Sequence, residues 1–213
     1  MARARIVRNA RRAVYEREVI HAILDSDMLC HVAYVVDGEP RMIPTLYIRR
    51  GDEIFLHGNR QSALLRHMEA GGLVTIGVTL VDGVVVARSG FHCSMNYRSV
   101  TIFGEGRAVT GAEHAEIADA FVEALIPGHL AAVRAPTPQE LAATTVVAVP
   151  IDECGAKVRA GDPIDDDGDL DADVWAGVLP LARSLGQPVP SADLKPGVEL
   201  PDYLASFRYP DER

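Results

Sequence analysis

The segment from Leu56 to Ser62 carries the residue types that hold a phosphate group. A predicted strand ends there in a glycine turn, and an arginine and a serine stand just before a predicted helix over residues 63–70. Backbone N–H groups, a hydroxyl, a guanidinium and the positive end of a helix dipole would surround one point. Arg66, one turn into the helix, adds a second charge. The alternative is a plain strand-to-helix connection in which Ser62 is only the N-cap.

Polar and ionisable residues also crowd into residues 87–99, between two predicted strands. His92 and Cys93 are adjacent there, and neighbouring side chains of an extended chain point to opposite faces. A thiol–imidazole pair is therefore a weak interpretation, and the sequence predicts no metal site. We expect alternate residues of this segment to line a pocket.

Pro44 lies inside a predicted strand. Proline cannot donate a hydrogen bond to a sheet, so it marks an edge strand or a bulge. The backbone groups beside it are then free to contact a planar ligand. An edge strand that proline merely blunts is an equally supported alternative.

Residues 162–173 contain seven aspartates in twelve positions. The run is similar to part of an EF-hand loop, but it lacks the Glu at position twelve and a helix–loop–helix frame. The sequence therefore predicts a solvated acidic linker.

The net charge and the number and spacing of cysteines limit which partners and metals the protein can bind. The 213 residues include 21 basic and 30 acidic ones, a net charge of −9, so no general positive field favours nucleic acid or an anionic membrane. Three cysteines without close spacing support neither a disulfide framework nor a thiolate zinc site, and the sequence contains no apolar run typical of a signal or a membrane span. We expect a cytoplasmic protein in which any phosphate is bound locally.

Hydrophobic periodicity predicts a mainly β protein with peripheral helices. Hairpin turns are predicted at Asp37-Gly38-Glu39 and at Val81-Asp82-Gly83. The linkers between strands are too short for helical crossovers, so the sheet is expected to be an antiparallel, closed or nearly closed barrel. The predicted elements are a helix over 14–25, strands over 28–36, 41–48 and 53–58, the helix over 63–70, strands over 73–80, 84–91 and 99–110, a helix over 112–125, and a strand over 144–151 continued by 156–159.

The predicted organisation is one domain with appendages. A basic arm over residues 1–13 precedes a barrel domain over 14–161. The arginines of the arm could pair with the acidic segment or cover a bound phosphate, but we expect them to be solvated. An acidic linker and carboxy-terminal extension over 162–213 is expected to pack on the same domain.

Three strings in order resemble the flavin-nucleotide-binding proteins of the pyridoxamine 5′-phosphate oxidase-like superfamily. They are CHVAYVVDGEPRMIPTLY, then FLHG with Ser62 and its helix, then VDGVVVARSGFHCSMNYRSVTIFGEGRAV. The later AKVRAGDPIDDD and WAGVLPL extend the resemblance to residues 13–181. It implies a split β-barrel homodimer that binds FMN in a groove between subunits.

The resemblance also implies which residues contact FMN. A flavin ring would lie along Pro44, Thr45 and Leu46. The barrel, or the partner across the interface, would contribute Tyr97, Arg98 and Ser99. The ribityl phosphate would be held by His57, Gly58, Asn59, Arg60 and Ser62. Many relatives have a basic residue where this chain has Ala63, so the phosphate's countercharge is expected from Arg60 or Arg66.

The implied function is that of an FMN-dependent oxidoreductase acting on a small organic substrate, most similar to the nitroimidazole-resistance reductase branch. The flavin carries the redox chemistry, and His92 or Tyr97 is the candidate proton donor. The carboxy-terminal substrate motif of true pyridoxamine phosphate oxidases is absent, so that activity is not predicted. The alternatives are flavin storage or sensing, a deazaflavin cofactor, or haem binding through His57, His92 or Cys93.

Overall fold

The computed structural model describes residues 3–212 and contains mainly antiparallel strands. Met1, Ala2 and Arg213, the outermost residues of the predicted arm and extension, lie outside the described residues. The strands are β1 (Ala13–Val14), β2 (Leu29–Val36), β3 (Glu39–Arg50), β4 (Glu53–Asn59), β5 (Leu73–Val86), β6 (Ser94–Glu105), β7 (Arg107–Val109), β8 (Thr144–Pro150), β9 (Glu153–Arg159) and β10 (Gly177–Pro180). The helices are α1 (Arg17–Asp25), α2 (Ala63–Glu69), α3 (Gly111–Leu125), α4 (Pro138–Ala143) and α5 (Asp202–Ala205).

The sheet is curled into a split barrel, which confirms the predicted fold class. Its strand order is β1-β9-β6-β5-β2-β3-β4-β8-β7, and β10 adds to β5. Since β7, at one end of this path, continues β6 after one residue, and β6 is the third strand from the other end, the path curls back on itself. That residue is Gly106, where a Cβ would lie 2.5 Å from the carbonyl oxygen of Met68 at the end of α2. The homodimer stays a prediction.

Two hydrophobic clusters lie on opposite faces of the curled sheet. The barrel interior holds one face of each long strand, including Val32, Ile76 and Ile102, all at most 1% exposed. Outside the barrel, α3 packs through Ile117 and Phe121 on the outer face of β3, β4, β7 and β8. Strand alternation separates the two clusters, because successive side chains point to opposite faces.

The two Asp-Gly dipeptides behave differently. Asp37 and Gly38 have φ of 54° and 78° and form the predicted two-residue hairpin between β2 and β3. The predicted hairpin at residues 81–83 is wrong, because β5 runs straight through it and pairs with β6. The register shifts between Val81 and Gly83, which marks a β-bulge.

The amino-terminal arm is partly packed, contrary to the expectation that its arginines are solvated. Arg3 forms an ion pair with Glu153, Ala4 is buried, and β1 pairs with β9. Arg5, Arg8 and Arg11 are exposed, as expected.

The strand predicted to run from residue 144 through 159 is interrupted. It bends at residues 151–152 into β8 and β9, which pair with different strands. In the acidic segment most side chains are exposed, but Asp165 is buried in an ion pair with Arg88, with 2.9 Å between Oδ2 and Nη1. Among residues 3–212, no helix is both long and apolar enough to cross a bilayer.

Candidate functional site

The sheet opens between β3 and β4, at the strand that carries Pro44. The first part of β3, residues 39–46, pairs only with β2, whereas Tyr47–Arg50 pairs with β4. Within the described residues, one edge of residues 39–46 therefore has no strand partner. This confirms Pro44 as an edge-strand proline. Leu46 lies on β3 at one side of the opening and His57 lies on β4 at the other side, and we call this opening the split.

His57 faces away from the barrel interior and into the layer beneath α3. Its ring lies 4.0 Å from that of Phe121, measured between centroids. The Nδ1 atom is buried and has no hydrogen-bond partner. Burial lowers the pKa of His57 below its usual value, because a low-dielectric environment disfavours the charged imidazolium. The side chain is therefore neutral at pH 7, and one of its two ring nitrogens carries a lone pair.

Two cavities flank the His57 ring. One, of about 120 Å³, is apolar and reaches the split through Leu46 and Met28. Its other walls are Tyr47, Ile48, Phe121, Val122 and Leu125. The second, of about 390 Å³, lies between α3 and α4 and has Arg134 and Glu140 among its walls. These two form an ion pair with 2.6 Å between Nη2 and Oε1, so the second cavity carries charged groups.

The residues predicted to hold a phosphate divide into two groups. His57 faces the cavities just described, whereas Arg60 and Arg66 line a separate cleft of about 560 Å³ together with His114. Neither arginine side chain forms an ion pair within residues 3–212, although Glu69 also lines the cleft, so its two guanidinium charges exceed the one carboxylate charge. An anion is the ligand that such a cleft suits.

Local hydrogen bonds use part of the β4–α2 turn. Ser62 Oγ accepts a weak hydrogen bond of 3.5 Å from the backbone N–H of Leu65, as an N-cap does. Asn59 Oδ1 accepts one of 2.8 Å from the N–H of Gln61. Gly58 turns towards α2, where a Cβ would lie 3.2 Å from Leu65 Cδ1. These contacts shape the turn, and the phosphate assignment stays a prediction.

The polar residues predicted from the 87–99 segment are largely engaged. Arg98 forms ion pairs with Asp82 (2.7 Å) and Asp211 (2.9 Å). Ser99 Oγ donates to the carbonyl of Lys157. A hydrogen bond of 3.1 Å joins His92 Nε2 to Asp166 Oδ2.

The structure also places a third group near that pair. The ligating atoms of His92, Asp166 and Asp169 all lie within 4.8 Å of one another. The sequence predicts no metal site there, because it does not reveal that the acidic segment returns to this loop.

The outer face of β2, β5, β6 and the first half of β3 has no covering layer among the described residues, and we call it the open face. Pro44, His31, Gly77 and Thr101 are paired in register and form one row across it. The exposed or half-buried residues of the open face include Leu29, His31, Ala33, Val35, Pro40, Met42, Pro44, Leu73, Thr75, Thr79, Val81, Tyr97, Ser99, Thr101, Phe103 and Glu105. Arg3 lies over the Phe103 ring at one end of this face.

Within one chain, the open face separates two parts of the predicted site. Tyr97 lies on β6 and Pro44 on β3, with β5 and β2 between them. Three inter-strand steps amount to roughly 14 Å. One flavin ring along Pro44 therefore does not reach Tyr97 of the same chain, and contact across an interface remains the predicted route.

Sequence reasoning missed the layer around His57. Phe121, Val122 and Leu125 belong to a helix that was predicted without a role. One signal was present, since His57 follows Phe55 by two residues. Period-two alternation places both side chains on the face opposite to buried Ile54 and Leu56.

Comparison with known proteins finds one matching family and several similar solved structures. A family model described as pyridoxamine 5′-phosphate oxidase matches residues 16–158. The flavocytochrome Anf3 from Azotobacter vinelandii shares 34% identity and a TM-score of 0.92, over 98% of this chain and 97% of that one. The FAD and haem binding protein from Mycobacterium smegmatis shares 39% identity and a TM-score of 0.88, over 91% and 96%.

A candidate 5-nitroimidazole antibiotic resistance protein from Bacteroides thetaiotaomicron is 17% identical, with a TM-score of 0.59 over 68% of this chain and 86% of that one. At this identity the likeness concerns the fold alone. A search of curated proteins finds no match.

Proposed function

Because the chain belongs to the pyridoxamine 5′-phosphate oxidase family, we propose that it is a redox protein that binds a flavin nucleotide and a haem. The observation that carries the haem part is the neutral, unpartnered imidazole of His57 in a cavity that opens on the split. A flavin-only protein has no need of a half-buried histidine whose buried Nδ1 lacks a hydrogen bond, since leaving a buried polar atom unpaired is unfavourable.

The residues at the split fit a flavin. The free edge of β3 offers backbone groups beside Pro44, Thr45 and Leu46 to a planar ring, and Arg60 and Arg66 offer charge to a phosphate. The similarity to a protein that binds FAD and haem favours FAD over the FMN that the family resemblance implied. Both nucleotides share the ribityl phosphate, so the same arginines serve either.

The residues around His57 fit a haem. A neutral imidazole with a free lone pair is a common iron ligand, and apolar walls suit a porphyrin. When bound, the flavin supplies hydride and one-electron exchange and the haem supplies one-electron exchange. The chain's own contribution is to keep the His57 imidazole uncharged and to exclude water with Phe121 and Val122. It also places Arg134 in the wall of the second cavity. A small organic substrate stays a prediction.

Absorption spectroscopy of the purified protein tests both cofactors at once. We expect flavin bands and a Soret band, and mass spectrometry of the flavin released by acid identifies FMN or FAD. In His57→Ala the Soret band is expected to disappear while the flavin bands remain. His67→Ala is the matched control, because His67 lies outside both cavities and hydrogen-bonds to the Leu73 carbonyl. A Soret band that survives in His57→Ala overturns the haem assignment, and a colourless protein after reconstitution overturns the flavin assignment.

A further inference from the structure

The acidic segment over residues 162–173 folds back onto the loop between β5 and β6. Asp165 accepts hydrogen bonds from the backbone N–H of Arg88 at 2.8 Å and from its Nη1 at 2.9 Å, and the carboxylate is almost fully buried. This ion pair fixes the beginning of the segment against residues 87–93. The aspartates that follow Asp165 are therefore held beside the loop instead of extending freely into solvent.

One turn of 3₁₀-helix, Asp167–Asp169, comes next, with Asp166 at its N-cap. Residues three positions apart lie above one another in a 3₁₀ turn, so the side chains of Asp166 and Asp169 are on the same side. An N-cap aspartate commonly accepts a hydrogen bond from the N–H groups of its own turn, whereas the Asp166 side chain makes no such bond. Its carboxylate faces the loop, where Oδ2 lies 3.1 Å from His92 Nε2.

Three metal-ligating atoms from two distant parts of the chain converge here. Those of His92, Asp166 and Asp169 all lie within 4.8 Å of one another. Two ligands of one zinc ion, each about 2.0–2.2 Å from the metal, are separated by about 3.0–3.5 Å. The distance of 3.1 Å between His92 and Asp166 already matches this separation. A small movement of the Asp169 carboxylate completes the set.

The two carboxylates lack a permanent positive charge beside them. Within residues 3–212, neither Asp166 nor Asp169 forms an ion pair with an arginine or a lysine, and Asp166 is paired with His92 alone. Two carboxylates at this separation repel each other. A divalent cation bound between them and His92 replaces that repulsion by two attractions.

The groups around His92 orient it without competing for a metal. The His92 N–H donates to the Ser89 carbonyl at 3.0 Å, and the Phe91 ring packs edge-on against the imidazole, with 5.4 Å between centroids. Cys93 Sγ accepts a hydrogen bond from the N–H of Ala87 and donates one to the Ser89 carbonyl. The converging donors are therefore one imidazole nitrogen and two carboxylate oxygens, without a thiolate.

We propose that His92, Asp166 and Asp169 bind one divalent transition-metal ion of the zinc type. The nitrogen donor favours such an ion over Mg²⁺ and Ca²⁺, which prefer sites built from oxygen alone. The neutral imidazole carries its hydrogen on Nδ1 and offers the lone pair of Nε2, and three protein ligands leave a fourth position for water. The ion joins the acidic segment to the β5–β6 loop and gives His92 a role other than proton donation.

Isothermal titration of the chelator-treated full chain with Zn²⁺ tests the site. We expect one ion per chain, and an affinity about tenfold or more lower in His92→Ala and in Asp169→Asn, since losing even an outer partner of a metal ligand costs about 10–100-fold. Asp167→Asn is the matched control, because Asp167 lies in the same turn but is not one of the three ligands. Far-UV circular dichroism verifies that the variants fold. A chain that binds no Zn²⁺, ligand variants with wild-type affinity, or an equal loss in Asp167→Asn each overturns the proposal.

X-ray absorption at the zinc edge of the loaded wild-type chain identifies the ligands. We expect one imidazole together with oxygen ligands at about 2.0–2.2 Å, and loss of the imidazole contribution in His92→Ala. A sulfur ligand at about 2.3 Å would move the ion to a cysteine, and two or more imidazoles would move it to another part of the chain; either result overturns the assignment. The zinc edge is read independently of flavin and haem, so the outcome does not depend on the proposed function.

Discussion

The hydroxyl of Tyr209 donates a 2.7 Å hydrogen bond to Oδ1 of Asp27, which lies 182 positions earlier in the chain. Burial by itself would raise the pKa of Asp27, but hydrogen bonds from Tyr209, Arg183 and two backbone N–H groups outweigh it and hold that pKa below its usual value. The carboxy-terminal extension is therefore anchored by an ionised carboxylate.

Asp27→Asn is expected to loosen the extension. The amide keeps the shape but loses the charge-assisted bond to Arg183, at a cost of about 1–3 kcal/mol in the free energy of unfolding. Because the folded pKa lies below the unfolded value of about 3.9, the wild-type contribution is complete above that pH and is lost as the pH falls through the folded pKa. Urea titrations from neutral to acid pH measure both effects.

The control for this variant is Asp171→Asn, since Asp171 is an exposed aspartate in the acidic segment. An Asp27→Asn protein with wild-type stability and wild-type acid sensitivity would contradict the role given to this carboxylate.

The cofactor-free protein is expected to lose stability as the pH falls below about 6.5. Burial lowers the folded pKa of His57, so the unfolded chain takes up its proton first. The stabilisation is complete above the unfolded pKa of about 6.5 and decreases as the pH falls towards the folded value. Denaturation midpoints between about pH 5 and about pH 7 measure the slope. In His57→Phe the slope is expected to be smaller, and an identical slope would refute the assignment to His57.

Gly106→Ala is expected to destabilise the barrel by about 2–4 kcal/mol. The added Cβ would lie 2.5 Å from the Met68 carbonyl oxygen, and both groups belong to backbone that cannot easily move. Gly168→Ala is the matched control, because nothing lies within 4 Å of its Cβ position. Thermal melts of the two variants should separate clearly, and equal melting temperatures would show that the corner between β6 and β7 tolerates a side chain.

Arg60→Ala and Arg66→Ala are each expected to weaken flavin binding about tenfold or more, since each removes a charge from the cleft that we propose for the phosphate. The difference in flavin affinity between the wild type and each variant should decrease as salt is added, because salt screens the attraction between the arginines and the phosphate in the wild type. Fluorescence titration of the cofactor-free protein with flavin nucleotide measures the affinity. Arg17→Ala serves as the control, as Arg17 pairs with Asp52 away from the cleft. Unchanged affinity in both cleft variants would place the phosphate elsewhere.

Local sequence signals predicted the elements well where no distant contact interferes. Asp37-Gly38 forms its hairpin because both residues tolerate positive φ. The same dipeptide at residues 82–83 does not form a hairpin, because β10 packs against it. A Cβ on Gly83 would lie 2.9 Å from the Leu179 carbonyl oxygen. A contact with a residue almost a hundred positions away cannot be read from a dipeptide.

The candidate site was predictable in part for a similar reason. The order of residues along β3 and β4 identified the two sides of the split, since each side is one continuous stretch of chain. The cavities around His57 depend on where α3 and α4 settle on the sheet, and no local pattern specifies that position. Arg98 likewise looked free in the sequence, because Asp82 and Asp211 reach it only in the folded chain.

The pairing of β9 has a consequence for synthesis. Lys157 on β9 is opposite both Ala13 on β1 and Ser99 on β6. Neither earlier strand can find this partner until β9 has left the ribosome, so a nascent chain carries an unpaired β6 edge while residues 106–159 are translated. Such long-range pairing slows folding and exposes strand edges to aggregation. We therefore expect the emerging chain to need protection by chaperones until about residue 160 has been released.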